Sequence, residues 1–430
     1  MSKLTKALTA AAGNAAGESL YVEDVFSTYL YEGNGSTQTI TNDIDLSGEG
    51  GAVWMKKRFG GDAENHTITD TERGANKKLE TNTTDAEFTD TNALTSFNAD
   101  GFSLGAEYEV NDPVGSFASW TFRKAEKFFD VVTYTGDGVA GREIAHNLGS
   151  APAFVMVKRT NTTNNWICWH FALTNTQYIQ INQTTQALSD GGIFWNSTTP
   201  DASNLTLGSD SGVNGSGSTY VAYLFASDAG GFGDDGSESI IKCGSYTGNA
   251  TKGLQVNCGF EPQLIITKRT DTSGYGCMMY DTMRGFVSLD DSQGGGKQLL
   301  ANSSNAEAED QRYAPTATGF ELKSTGASVN ASGGNFIYIA IRRPMKTPES
   351  GTEVYNADFY GSTEANNSSP IVRFYAGFPV DFTLFHDRTG GGNHQARARL
   401  TGANYLHTNL TDAEIANSSD VFGSNQGIQI

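Results

Sequence analysis

An apolar run closed by basic residues occurs three times along the chain and in a variant form once more, and this repetition constrains the fold more than any single motif does. The copies read Ala52-Val53-Trp54-Met55-Lys56-Lys57-Arg58, Phe154-Val155-Met156-Val157-Lys158-Arg159 and Leu264-Ile265-Ile266-Thr267-Lys268-Arg269, with the variant Phe382-Thr383-Leu384-Phe385-His386-Asp387-Arg388. Their closing arginines are 159 − 58 = 101, 269 − 159 = 110 and 388 − 269 = 119 residues apart. A drifting spacing of that size belongs to domain-sized copies with variable loops, because solenoid repeats run to about 20–45 residues at a fixed period.

Other elements recur in step with the run. Upstream of it stand Tyr31-Glu32-Gly33-Asn34-Gly35, Tyr134-Thr135-Gly136-Asp137-Gly138 and Tyr246-Thr247-Gly248-Asn249, which read as strand ends followed by tight turns with positive φ at the glycines. Downstream come Asn82-Thr83-Thr84-Asp85-Ala86-Glu87, Asn302-Ser303-Ser304-Asn305-Ala306-Glu307 and Asn409-Leu410-Thr411-Asp412-Ala413-Glu414, degraded in the second copy to Asn182-Gln183-Thr184-Thr185. A last aromatic strand follows around Trp120, Tyr223 and Tyr338, each 16 residues after Leu104, Leu207 and Leu322. The constant offset predicts a hairpin whose register its turn fixes. The fourth copy reaches Ile430 before any such strand, so a truncated product, or a neighbouring chain that supplies the strand, is expected.

Composition agrees with short strands and many turns. Gly contributes 50 residues and aromatics 11%, while charged residues are only 18%, too few for a helical bundle or coiled coil. The expected fold class is all-β: tandem antiparallel β-sandwich domains like beads on a string, with a short N-terminal helix or docking arm. The expected boundaries are 1–20 for the arm, 21–128, 129–229 and 230–345 for three sandwich repeats, and 346–430 for an incomplete fourth. In the arm, Leu4, Ala7, Leu8 and Ala11 fall at helical spacing, and the segment is too polar for a secretory signal. Between the second and third repeats, Gly230, Gly231, Gly233 and Gly236 predict the hinge.

Charge and chemistry narrow the function classes. Basic side chains number 29 against 48 acidic, a net −19, which argues against binding nucleic acid, where phosphates must be neutralised by Lys and Arg. No run approaches the roughly 18 apolar residues of a membrane span. Cys168, Cys243, Cys258 and Cys277 have neither zinc nor disulfide-framework spacing and are expected to be buried thiols. Of the six histidines only His386 and His394 come near metal spacing. Asn214-Gly215-Ser216-Gly217-Ser218 lacks the full nucleophile-elbow pattern and reads as a loop, matched in place by Asn330. Asp43 with Asp45, Asp234 with Asp235, and Asp290 with Asp291 read as turns, or at most weak Ca²⁺ ligands, rather than an acid and base pair. Asp70-Thr71-Glu72-Arg73-Gly74 recurs as Asp281-Thr282-Met283-Arg284-Gly285 and reads as a turn held by its Asp or Arg. The sequons at Asn82, Asn196, Asn302 and Asn409 are taken as turn composition. No residue is assigned a catalytic, cofactor-binding or metal-binding role.

The stretch Tyr21 to Tyr31, the Val53-Trp54-Met55-Lys56 strand, Asp70 to Gly74, Gly101-Phe102 and Phe122-Arg123-Lys124-Ala125 resemble tail-associated virion proteins of tailed phages, many of them marine. So do Tyr134-Thr135-Gly136, His146-Asn147-Leu148-Gly149 and Val157-Lys158-Arg159. Such proteins carry tandem laminin-G-like or concanavalin-like sandwich repeats, and the similarity runs from Leu20 onward. The resemblance implies a structural component of a phage particle, a tail fibre or other appendage that mediates attachment to the host surface, and no catalytic residues. Other readings are a virion-borne glycan depolymerase, a capsid decoration protein and a bacterial adhesin. The partners then expected are other virion proteins, through the N-terminal arm, and a host surface glycan or protein, with the chain as a homotrimer. No cofactor is expected, Ca²⁺ aside.

Overall fold

A strand pairing that no local turn dictates organises the molecule. In the computed structural model, which describes residues 19–286, 296–357, 372–376, 378, 380–386, 390–401, 404–416 and 427–429, β1 (Phe26–Glu32) and β3 (Gly51–Phe59) both pair with β9 (Ser116–Arg123), far downstream. The strands between are β2 (Gln38–Thr41), β4 (Thr67–Asp70), β5 (Lys77–Glu80), β6 (Phe88–Thr89), β7 (Leu94–Asn98) and β8 (Gly101–Leu104). They complete a six-stranded antiparallel sheet, β1-β9-β3-β4-β5-β6, faced by a three-stranded sheet, β2-β8-β7.

The same order returns twice. The second unit comprises β10 (Phe129–Thr135), β11 (Arg142–Ala145), β12 (Phe154–Arg159), β13 (Ile167–His170), β14 (Gln177–Gln180), β15 (Leu188–Ser189), β16 (Asn204–Leu207) and β17 (Thr219–Phe225). Its large sheet runs β10-β17-β12-β13-β14-β15 beside the pair β11-β16. The third comprises β18 (Ile241–Thr247), β19 (Leu254–Asn257), β20 (Pro262–Arg269), β21 (Met278–Asp281), β22 (Lys297–Leu300), β23 (Ala308–Glu309), β24 (Tyr313–Thr316), β25 (Gly319–Leu322) and β26 (Asn335–Arg342). Its sheets run β18-β26-β20-β21-β22-β23 and β19-β25-β24. The protein is thus predominantly β, with sandwich-like pairs of antiparallel sheets.

A fourth set of strands repeats part of the pattern. β27 (Val372–Tyr375) pairs with β31 (Gly427–Gln429) as β2 pairs with β8. β28 (Phe382–Phe385), β29 (Gln395–Ala398) and β30 (Leu406–His407) pair in sequence as β3, β4 and β5 do.

The units do not hang like beads. Each large sheet is apolar on both faces. In the first unit Val53, Met55 and Phe117 face Ile40, Leu94 and Phe102 inside the sandwich, whereas Ala52, Trp54, Ile68, Leu79 and Trp120 point the other way. Those outward residues share one core cluster with Phe154, Met156, Ile179 and Tyr223 of the second unit and with Leu264, Met279, Leu299 and Ile339 of the third. Burying such a side chain fully is worth about 1.5–3 kcal/mol, so three sheets with apolar outer faces close on one another instead of meeting water. Trp54, Met156 and Ile266, at one register position of β3, β12 and β20, line a single small cavity at the centre.

Three further expectations change. The segment 229–239 is no hinge: Phe232 bridges to Glu238, is buried, and sits edge-on to Phe128 at 6.4 Å, while Gly230, Gly231, Gly233 and Gly236 take positive φ to allow the turn. β8 and β9 form no hairpin, because β8 belongs to the small sheet and β9 to the large one. The offset of 16 joins equivalent positions in the first two units only; in the third the equivalent of Trp120 and Tyr223 is Ile339, 17 residues after Leu322. Tyr31, Tyr134 and Tyr246 stack on Phe117, Tyr220 and Phe336, which places Trp120, Tyr223 and Ile339 in one register and leaves Tyr338 one residue out. The extra residue lies between β25 and the helical turn Ala327–Asn330. The N-terminal arm lies outside the described residues except for Ser19 and Leu20, and the Asp290–Asp291 pair lies outside them altogether.

Candidate functional site

The polar residues that the sequence singles out gather along the three seams between units. At the second strand of each seam stands Asp70, His170 or Asp281, at the end of β4, β13 or β21. Asp70 accepts from the Tyr223 hydroxyl of the second unit at 2.7 Å, and Asp281 accepts from the Trp120 indole of the first at 3.1 Å. His170 takes the third place. Its Nδ1 accepts from the Ala172 amide at 3.1 Å, which leaves Nε2 to donate to the Tyr338 carbonyl of the third unit, 3.2 Å away. Burial pushes this imidazole down to about 4, so it stays neutral.

The Asp-x-x-Arg-Gly turns are held as expected, by both members of the pair. Arg73 donates through its amide and Nε to Asp70, and Arg284 does the same to Asp281, with Nε–Oδ2 distances of 2.6 Å. Gly74 and Gly285, both at φ 94°, then close the turns. Arg284 is fully buried, lies over the Trp120 ring at 5.4 Å, and reaches Glu307 at 3.3 Å. Glu307 also takes Arg58 of the first unit in a two-pronged pair at 2.9 and 3.0 Å.

The basic end of the repeated strand has an unexpected task. Lys56, Lys158 and Lys268 are buried and cross the seams to backbone carbonyls: Lys56 to Ser304 at 3.1 Å, Lys158 to Thr84 at 2.9 Å, and Lys268 to Gln183 at 2.9 Å. Each carbonyl sits two residues after Asn302 or Asn82, or one after Asn182, whose side chains in turn accept from the amides of Cys277, His66 and Trp166. Desolvation lowers the Lys56 and Lys158 ammonium groups to about 8. Main-chain bonds finish each seam, from Glu87 to Thr160, Ala187 to Thr270 and Glu307 to Arg58. Unit one therefore grips two, two grips three, and three grips one, through corresponding strands and turns each time. The contacts close in a ring.

Turn chemistry accounts for the other candidates. Asn111, Asn214 and Asn330 are fully buried pins, each donating to two backbone carbonyls across the sandwich end and accepting an amide from Asn34, Asp137 or Asn249. Asn111 escaped the sequence reading, although it lies six residues before Phe117 as Asn214 does before Tyr220. Gly33, Gly136 and Gly248 are required by close approach rather than by φ, since a Cβ there would meet a carbonyl oxygen at 2.0 to 2.3 Å. Asp45 caps the turn Leu46–Glu49, Asp234 accepts from the Tyr21 hydroxyl, and Asp235 accepts from Ser237. The four cysteines are buried, and burial raises every thiol, that of Cys258 to about 12. His386 and His394 do approach, with ring centroids 4.0 Å apart, but among the described residues no group of three or more His, Cys, Asp or Glu side chains forms a metal site.

The family profile described as "Domain of unknown function (DUF7483)" matches residues 22–344. The chain belongs to this family. Its matched span opens at the helical turn Val22–Val25 and closes two residues after β26, so it takes in all three units of the ring. No curated protein matches the chain. A solved structure described as "Crystal Structure of the STIV MCP" aligns at 9% identity over 50% of this chain and 92% of its own, with a TM-score of 0.17, a likeness that carries no argument about fold or function.

Proposed function

We propose that the chain is a structural component of a phage particle, a tail fibre or tail-associated appendage that mediates attachment to the host surface. The observation that carries this reading is the use of the ionisable and aromatic side chains in the seams: Asp70, Asp281, Arg284, Glu307 and the three lysines are all engaged in holding one unit to the next. A ring spent on rigidity presents its loops as the contact surface, as an attachment module requires. The resemblance to tail-associated virion proteins supplies the particle.

The net charge of −19 shapes the contact. Bacterial envelopes are anionic, so long-range forces oppose approach, and they fade as the Debye length falls from about 8 Å at 0.15 M to 3 Å at 1 M salt. Binding therefore rests on short-range hydrogen bonds and ring stacking, and it holds or strengthens as salt rises. Mass spectrometry of purified particles, with antibody-labelled electron microscopy, tests the reading. The chain is expected in the particle and outside the capsid interior, and its absence from the particle overturns the proposal. Release of reducing ends from host glycans by the purified chain would favour the depolymerase reading instead.

A further inference from the structure

The fourth unit presents to solvent the surface that the other three bury in one another. The strand pairings place Phe382 at the register position of Ala52, Phe154 and Leu264, since each lies opposite the last residue of the next strand. Leu384 then corresponds to Trp54, Met156 and Ile266, and Leu406 to Leu79, Ile179 and Leu299. In the ring, Ala52, Phe154 and Leu264 are at most 4% exposed and Leu79, Ile179 and Leu299 at most 2%, whereas Phe382, Leu384 and Leu406 are 57%, 66% and 48% exposed. Phe385, one step along β28, turns inward against Ile428, so the strand keeps the two-faced pattern of the ring strands.

The ring cannot cover this face, because its three seams are already closed on one another. The fourth unit is also held to one side: Arg399 bonds Glu261 at 2.9 Å and Asp381 at 2.7 Å, and Arg343 pairs with the same two carboxylates. The geometry points to two further copies of this chain as the occupant. Three fourth units pack their outward faces together about a true threefold axis, with Leu384 at the centre where Trp54, Met156 and Ile266 line one cavity inside the chain. His386, at the register position of Lys56, Lys158 and Lys268, offers an imidazole donor toward the neighbouring copy's Asn409-Leu410-Thr411 turn, as the lysines do toward theirs. The inference is independent of the virion reading, since a trimer forms in solution whether or not a particle carries it.

Light scattering on the full chain across a concentration series tests it, with 3 × 45.9 = 137.7 kDa expected. The pair Leu384→Glu and Leu406→Glu should give a single chain of 45.9 kDa. Its tryptophan fluorescence should be unchanged, because all five tryptophans, at 54, 120, 166, 169 and 195, belong to the first two units. Leu384→Cys, which leaves the face apolar, should yield disulfide-linked pairs on mild oxidation of the trimer. A chain that stays single or stops at a dimer overturns the proposal. So does a trimer that survives both charges or fails to cross-link through Cys at the centre.

Discussion

Arg284 is a cation with no water to fall back on. It is buried between Asp281 and Glu307 and roofed by Trp120, so its charge is tolerable only while those carboxylates are in place. Removing one partner of a buried pair leaves an uncompensated charge at about 3–5 kcal/mol. Asp281→Ala should fall near the lower end, because Glu307 remains, and the Trp120 indole also loses its acceptor. Denaturant unfolding of variant and wild type measures the difference, and a loss under 1 kcal/mol would show that the seam bears little load. Glu307 adds a pH signature. Burial alone would raise its carboxyl, but Arg58 and Arg284 outweigh burial and hold it below 4.5. A carboxylate whose pKa is depressed by folding contributes stability above its unfolded value and loses that contribution as pH falls through the folded one. Glu307→Gln should therefore be less stable than wild type at pH 6 and approach it as the pH drops below about 4.5. Lys158 runs the other way. Its folded pKa is about 8 against 10.5 unfolded, so the unfolded chain holds the extra proton and stability rises with pH between those values. Lys158→Met should flatten that rise in unfolding curves taken from pH 8 to 10.

At the scale of elements, one short turn recurs with one buried asparagine in it. Asn111, Asn214 and Asn330 each tie the chain before the last large strand to the turn after the first. Leaving such buried backbone groups unpaired costs about 1–3 kcal/mol, so Asn214→Ala should lower the melting temperature, and Asn111→Ala and Asn330→Ala should do so by similar amounts. Unequal losses would mean that the three ends are not mechanically alike. The repeated strands and turns were readable because they are local: alternating apolar residues, Gly-Asn pairs and Asp-x-x-Arg-Gly carry their structure within a few residues. The closure of the ring was also written in the sequence, in a form that is easy to pass over. Val53-Trp54-Met55, Phe154-Val155-Met156-Val157 and Leu264-Ile265-Ile266 are unbroken apolar runs, the mark of strands covered on both faces. What covers the second face has no local signature. The single extra residue before Ala327–Asn330 shifted one register unseen, and the buried lysines looked like strand ends because nothing in the sequence places the carbonyls of Ser304, Thr84 and Gln183 across from them.

For the whole molecule, the ring makes the three units one cooperative body. Separate beads would melt separately, and each would survive excision, since a sandwich with a polar exterior loses nothing when its neighbour is removed. Here the outer face of each large sheet is the inner wall of the common core. A fragment ending at Lys124 would expose Ala52, Trp54, Ile68, Leu79, Trp120 and Phe122 to water at once and leave Asp70 and Arg58 without Tyr223 and Glu307. The span 22–344 should therefore unfold in a single calorimetric transition whose van't Hoff and calorimetric enthalpies agree, the signature of two-state behaviour, even at a length where independent domains normally separate. A substitution in any seam should shift that one transition as a whole: weakening the first seam through Asp70→Ala should lower the melting of the third unit as much as that of the first. Two or three resolved transitions, or a soluble and folded fragment of residues 22–124, would mean that each sandwich stands alone and that the shared core adds packing without coupling. One transition with aggregation of the fragment means that the three units are stable only in each other's company, so the ring and not the sandwich is the smallest piece that can be inherited intact.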